Sequence, residues 1–248
     1  MHGAKRRPPE RRPTRLAAVL VLAATVLSSG TLLAGGGSST VKGKVSGWDK
    51  LLPGTYQEAS KPDSHRFTWR EPSPTVKQDF RRLSASVSRD VCVAAFGSGA
   101  AAAHDSQRVF VTGERVSPST IVLSVGSRLS FKNADPFPHS LYEVGNASWG
   151  ANPTAPGSSR DWAAAAAGVH VIRDTLFPSL VMYIVVDAAA VEATYPDHDG
   201  NFAMNLPTGD YTLKVFFDGK PVGKAIDGVH VGDKDVELKD PMPIGDSK

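Results

Sequence analysis

From residue 107 onward the chain repeats one pattern, a short β-branched or alternating apolar–polar run followed by a turn of Gly, Pro, Asn, Asp or Ser. The runs 108–112, 120–125, 128–133, 141–144, 169–173, 181–187, 191–195, 201–206 and 211–217 read as strands, with weaker closing strands at 228–231 and 235–239. Residues 181–186 are apolar on both faces, which predicts a central strand. Upstream, 41–45 reads as a first short strand after a Gly/Ser linker at 35–40. Pro53, Pro62, Pro72 and Pro74 break up 47–74, where His65, Phe67 and Trp69 alternate with Arg66 and Arg70 as in an extended edge. Thr75 and Gln78 stand at capping-box spacing, predicting a short helix to about residue 83. A strand at 86–95 and a small-residue linker at 97–103 follow. Residues 145–161 read as a long polar loop and 162–167 as one helical turn ending at Gly168. Short strands at this spacing predict an all-β sandwich or barrel.

The N-terminus has a different pattern. Lys5, Arg6, Arg7, Arg11, Arg12 and Arg15, against Glu10 alone, precede an uncharged Leu/Ala/Val-rich run over 16–34. A basic flank before such a run is that of a secretory signal or N-terminal anchor, and it sends the rest of the chain outward. Gly36 stands where a lipoprotein signal would have its cysteine, and Pro13-Thr14-Arg15 lacks the apolar residues of twin-arginine export. This segment also accounts for the net charge of +3. Without its six basic residues and one acid, totals of 28 and 25 become 22 and 24, which excludes a basic field for nucleic acid. Cys92 is the sole cysteine, so no internal disulfide forms; it reads as a small apolar residue on a half-buried strand.

Residues Val125-Gly126-Ser127-Arg128-Leu129-Ser130-Phe131-Lys132-Asn133-Ala134-Asp135-Pro136-Phe137-Pro138-His139 resemble the blue-copper cupredoxins, in which a strand of the form G-x-x-(V/L)-x-F-x-N-x-D leads into the first copper-binding histidine. The likeness continues through Gly168–Arg173, Pro178 and Tyr183–Val186 and covers about 105–187. It implies a Greek-key sandwich and a copper site of two His, one Cys and one Met, soft and borderline donors that suit both copper oxidation states. The loop that supplies Cys, His and Met in that family reads Asp174-Thr175-Leu176-Phe177-Pro178-Ser179-Leu180 here. By spacing, Asp174 takes the cysteine's place, Phe177 the histidine's and Leu180 the methionine's, while Met182 falls two residues late, inside the strand. Only His139 remains, so the resemblance implies a degenerate site with no metal expected. His139 is then a relic whose replacement by Ala should shift stability little. His170 and Asp174 share a strand face by alternation and, with His139, offer a zinc-like donor set. Solvated or hydrogen-bonded polar residues are the preferred reading of these three.

A second likeness lies at Tyr195-Pro196-Asp197-His198-Asp199-Gly200-Asn201-Phe202 and Leu206-Pro207-Thr208-Gly209-Asp210-Tyr211-Thr212-Leu213. It is similar to carboxypeptidase regulatory-like domains, small transthyretin-like sandwiches whose opening strand resembles Val41–Val45. Thr208 stands where an EF-hand needs Glu, so Asp197–Asn201 reads as a turn and not as a calcium loop. Four regions follow: a signal or anchor (1–35), a linker and first strands of the regulatory-like sandwich (36–104), an inserted cupredoxin-like domain (105–187) and the remaining regulatory-like strands (188–248). A single extended sandwich is the alternative.

No nucleophile elbow, His-Glu-x-x-His or phosphate loop occurs in the sequence. The expected function is therefore an exported, non-catalytic binding or structural module of the cell envelope. Its partner would be an envelope protein or glycan, with no nucleic acid and no cofactor, and membrane contact would come only through 16–34. The alternative is a periplasmic copper protein for electron transfer or copper carriage.

Overall fold

Alternating β-branched and polar residues produce strands almost throughout a computed structural model of the protein, which describes residues 37–54, 85–97, 106–113 and 115–245. In chain order the first strands are β1 (Ser38–Ser46), β2 (Val91–Gly97), β3 (Gln107–Thr112), β4 (Arg115–Ser117), β5 (Thr120–Leu123) and β6 (Arg128–Asn133). Next come β7 (His139–Glu143), β8 (Asn152–Thr154), β9 (Ser159–Ala163), β10 (Gly168–Asp174) and β11 (Val181–Val186). The chain closes with β12 (Ala190–Thr194), β13 (Asn201–Pro207), β14 (Gly209–Phe217), β15 (Lys220–Val231), β16 (Val236–Glu237) and β17 (Met242–Pro243). The protein is all-β, as the pattern predicts.

Among the described residues the strands form four sheets around two cores. One sheet runs β13-β1-β16, with β17 also on β1, and faces a second, β12-β2-β14-β15. Val41, Val45, Val93, Leu206, Leu213 and Ile244 fill the space between them. A third sheet, β5-β11-β10-β7-β8, faces a fourth, β4-β3-β6-β9. Ile121, Leu129, Phe131, Ile172, Met182 and Ile184 fill that second core. Between β3 and β11 the chain passes repeatedly from one facing sheet to the other, as a Greek-key sandwich requires.

A smaller apolar seam joins the sandwiches: Cys92, Ala94 and Phe216 on the outer face of the β2–β14 sheet meet Val122 and Val185 of β5 and β11. Strands β2, β5 and β11 therefore have both faces covered, which explains their unbroken apolar runs. Strand β2 is buried on both faces, not half-buried. Its thiol has a pKa raised from 9.0 to about 12 by burial, partly offset by hydrogen bonds to the Val122 backbone and the Tyr195 side chain. The described residues make one compact unit.

Several sequence expectations need correction. Residues 86–90 are a helical turn, Val87–Asp90, and not the start of a strand. The Asp90 carboxylate accepts from the Ser86 N–H at 2.8 Å while Asp90 N–H donates to the Ser86 carbonyl at 2.7 Å, closing the turn. Ser38–Thr40 belong to β1, where they pair with 205–207 instead of linking. The predicted loop 145–161 contains a 3-10 turn, Ala147–Trp149, as well as β8 and the start of β9. Residues 162–163 complete β9, opposite β6, and are not helical. Burial of Trp162 in the second core overrides the helix propensity of the alanines after it. The apolar run 16–34, the extended edge 65–70 and the helix 75–83 lie outside the described residues. Among the described residues no helix is long and apolar enough to cross a membrane.

Candidate functional site

Strands β7 and β10 pair antiparallel, with Asp174 opposite Leu141 and Ile172 opposite Glu143. Side-chain alternation puts His139, Leu141 and Glu143 on the inner face of β7, and His170, Ile172 and Asp174 on that of β10. Leu141 and Ile172, both fully buried, divide this face. The ionisable residues therefore collect at its two ends.

One end centres on His139, whose side chain is fully buried. Its Nδ1 lies 2.7 Å from Asp174 Oδ2, and its Nε2 lies 3.0 Å from Asp135 Oδ2. Asp174 also accepts from the backbone N–H groups of Leu176 (2.7 Å), Phe177 (3.3 Å) and Ser140 (3.2 Å). Asp135 accepts from the Gly113 N–H at 2.7 Å. The loop carrying Asp135 is shaped by buried Asn133. That side chain accepts from the Asp135 N–H at 2.9 Å and donates to the Phe137 and Thr154 carbonyls, both at 2.9 Å. Aromatic rings cover the imidazole: the Phe177 centroid is 4.9 Å away, that of Phe137 is 5.4 Å away, and the two phenyl rings meet at 5.1 Å. The chain turns between Phe177 and Leu180, whose N–H donates to the Phe177 carbonyl at 2.9 Å. Leu180 points into the second core, as does Met182.

The other end centres on Glu143. Its carboxylate takes His170 Nδ1 at 2.6 Å, Trp162 Nε1 at 2.8 Å and Asn146 Nδ2 at 2.8 Å. Burial pushes the Glu143 carboxyl up, but the bonds from His170, Trp162 and Asn146 outweigh it and hold the pKa below its ordinary 4.5. His170 Nε2 donates to the Ala166 carbonyl at 3.0 Å.

The structure thus brings His139, Asp174 and Phe177 together and leaves His170 at the opposite end of the face. Four residues of extended strand, roughly 13 Å, separate His170 from Asp174. That distance overturns the zinc-like grouping of His139, His170 and Asp174. Among the described residues no group of three His, Cys, Asp or Glu could hold a metal ion. Both ring nitrogens of His139 have buried partners, in line with the preferred reading of these residues as hydrogen-bonded polar groups.

The sequence reading missed Asp135 and Glu143. Asp135 carried a local signal, an acid two residues after Asn133 at a turn-forming spacing. Glu143 carried none beyond its inward position in the alternation.

The first sandwich has an open cleft of about 720 Å³ beside β1, lined in part by Lys42, Lys44, Tyr195, Asn201, Glu237 and Lys239. At the adjoining turn Asp197 accepts from the Asp199 and Asn201 N–H groups, both at 2.9 Å, as a turn-forming aspartate does.

No protein-family model and no curated protein matches the chain. Among solved structures, a mutant of amicyanin in its Cu(I) form is similar over 38% of this chain and 98% of its own, at 16% identity and TM-score 0.31. The purple cupredoxin of Nitrosopumilus maritimus is similar over 33% of this chain and 99% of its own, at 19% identity and TM-score 0.28. A copper-containing nitrite reductase of Thermus scotoductus is similar over 37% of this chain and 25% of its own, at 18% identity and TM-score 0.30.

Proposed function

We propose that this chain is an exported, non-catalytic module of the cell envelope, built on a cupredoxin-like sandwich that has lost its copper site and a regulatory-like sandwich that binds envelope protein or glycan. The observation that carries this reading is the closure of His139, with a carboxylate on each ring nitrogen and the Phe177 ring against its face.

Copper does not fit these residues. Two ligands sharing one tetrahedral ion at ordinary bond lengths lie about 3.3 Å apart. His139 Nδ1 and Asp174 Oδ2 are at 2.7 Å, in direct hydrogen-bond contact. Asp135 and Asp174 hold opposite edges of the ring, so the three groups share no common point. Phe177 and Leu180 have no donor atoms, and the axial thioether has no counterpart, because Met182 is buried in the core. Cys92 lies in the seam on β2, with its thiol kept neutral.

Export rests on the basic flank and apolar run at 1–34. Binding rests on the cleft beside β1, whose lysines, Asn201 and Glu237 supply the hydrogen-bonding groups that a glycan or polar peptide requires.

The test rebuilds the copper site. The triple variant Asp174→Cys, Phe177→His, Leu180→Met supplies thiolate, imidazole and thioether beside His139 Nδ1 and should bind copper with an intense visible band. Wild type given copper should stay colourless. A blue wild type contradicts the reading, and a folded, colourless triple variant contradicts the correspondence of the three positions. An alkaline phosphatase fusion after residue 40 should be active in a bacterial host; an inactive, cytoplasmic fusion contradicts export.

A further inference from the structure

The Asp135–His139–Asp174 cluster has to be satisfied as a unit, because it is buried and each ring nitrogen faces a carboxylate oxygen. A neutral imidazole has one N–H and one lone pair, so one of its two contacts would set a lone pair against an anion. Two proton placements avoid this: an imidazolium between two carboxylates, or a neutral ring with one aspartic acid protonated. Asp174 accepts three backbone N–H bonds in addition to facing the ring, two on each oxygen in all, which matches the acceptor capacity of a carboxylate. Asp135 accepts from the Gly113 N–H on its other oxygen. The phenyl rings of Phe137 and Phe177 pack around the imidazole, which is fully buried, so no water takes the place of either carboxylate as its partner.

We infer that His139 is a doubly protonated imidazolium that serves as the structural cation of this end of the sandwich. It donates from Nδ1 to Asp174 and from Nε2 to Asp135. It thereby ties the loop at 134–138 to the segment at 174–177, a junction that in a copper protein the metal would make. This inference rests on the copper-free reading and extends it: the place is closed by protons, and a metal would first have to displace one of them.

The experiment is ¹⁵N–¹H NMR of the histidine rings in metal-free, full-length protein at neutral pH. The inference expects both His139 nitrogens at imidazolium shifts, each with a slowly exchanging proton. Asp174→Asn should leave a neutral ring protonated on Nε2, and Asp135→Asn a neutral ring protonated on Nδ1. A single ring proton and neutral-ring shifts in the wild type overturn the inference and leave the copper-free reading intact. Adding Cu(II) or Zn(II) to the wild type should leave both ring protons in place. Loss of the Nδ1 proton to the metal overturns the copper-free reading itself. The wild-type spectrum decides the matter even where a variant fails to fold.

Discussion

The inner face of β7 and β10 carries two histidine–carboxylate clusters built from similar parts, with different consequences. At one end His139 is fully buried, and both its partners are carboxylates that the backbone also holds. At the other end the His170 side chain is 18% exposed, with one carboxylate and one carbonyl as partners. Glu143 is the better buried member there, and it has two further donors in Trp162 and Asn146. The first cluster is a histidine that two acids depend on, and the second is an acid that three donors serve. The member most deeply committed at each end, rather than the residue type, sets what a substitution costs.

The largest effect should come from His139→Ala. It leaves the Asp135 and Asp174 carboxylates buried without their shared cation and should cost about 3–5 kcal/mol by denaturant unfolding. A loss below about 1 kcal/mol would mean that the relic expectation had been right and would erase the contrast.

Next should come Glu143→Gln, at about 1–3 kcal/mol at neutral pH, since His170 Nδ1 loses its charged acceptor while the Gln carbonyl oxygen still accepts from Trp162 and Asn146. The pH dependence follows from the lowered Glu143 pKa. The group contributes stability above its unfolded value of 4.5, and that contribution is lost as pH falls through the lower folded value. The gap between wild type and Glu143→Gln should therefore narrow below pH 4.5. A gap that widens on acidification would show that the sign is wrong.

His170→Ala should cost less, about 1 kcal/mol, because Trp162 and Asn146 still serve Glu143 and water reaches the vacated edge. A cost equal to that of His139→Ala would remove burial as the explanation for the difference. The smallest effect belongs to His230→Ala on the first sandwich. Its partner Asp210 is 2.8 Å away and both side chains are exposed, so unfolding should shift by no more than about 0.5 kcal/mol.

Much of the fold was legible because alternation survives wherever one face is buried. β6 and β13 appear at their predicted limits or within one residue, and the apolar run of β11 correctly marked an interior strand. The failures came where local preference and tertiary contact disagree. Alanines after Trp162 read as helix, but the indole belongs to the core and to Glu143. Residues 86–90 read as strand until Asp90 folded back onto Ser86. For the site, alternation placed His170, Ile172 and Asp174 on one face, which is correct, but a shared face is not a shared point. The His139–Asp174 contact spans 35 residues, and only the β7–β10 register brings it about. Asp135 belonged to the motif that suggested a copper fold, yet its bond to Nε2 depends on the turn built by Asn133.

The most direct test of the central claim is the copper stoichiometry of the wild type. Metal-free protein dialysed against micromolar Cu(II), then freed of loosely held ion, should retain far less than one copper per chain and show no visible band. His139→Ala should retain no less than the wild type. One copper per chain in the wild type, lost in His139→Ala, would contradict the account.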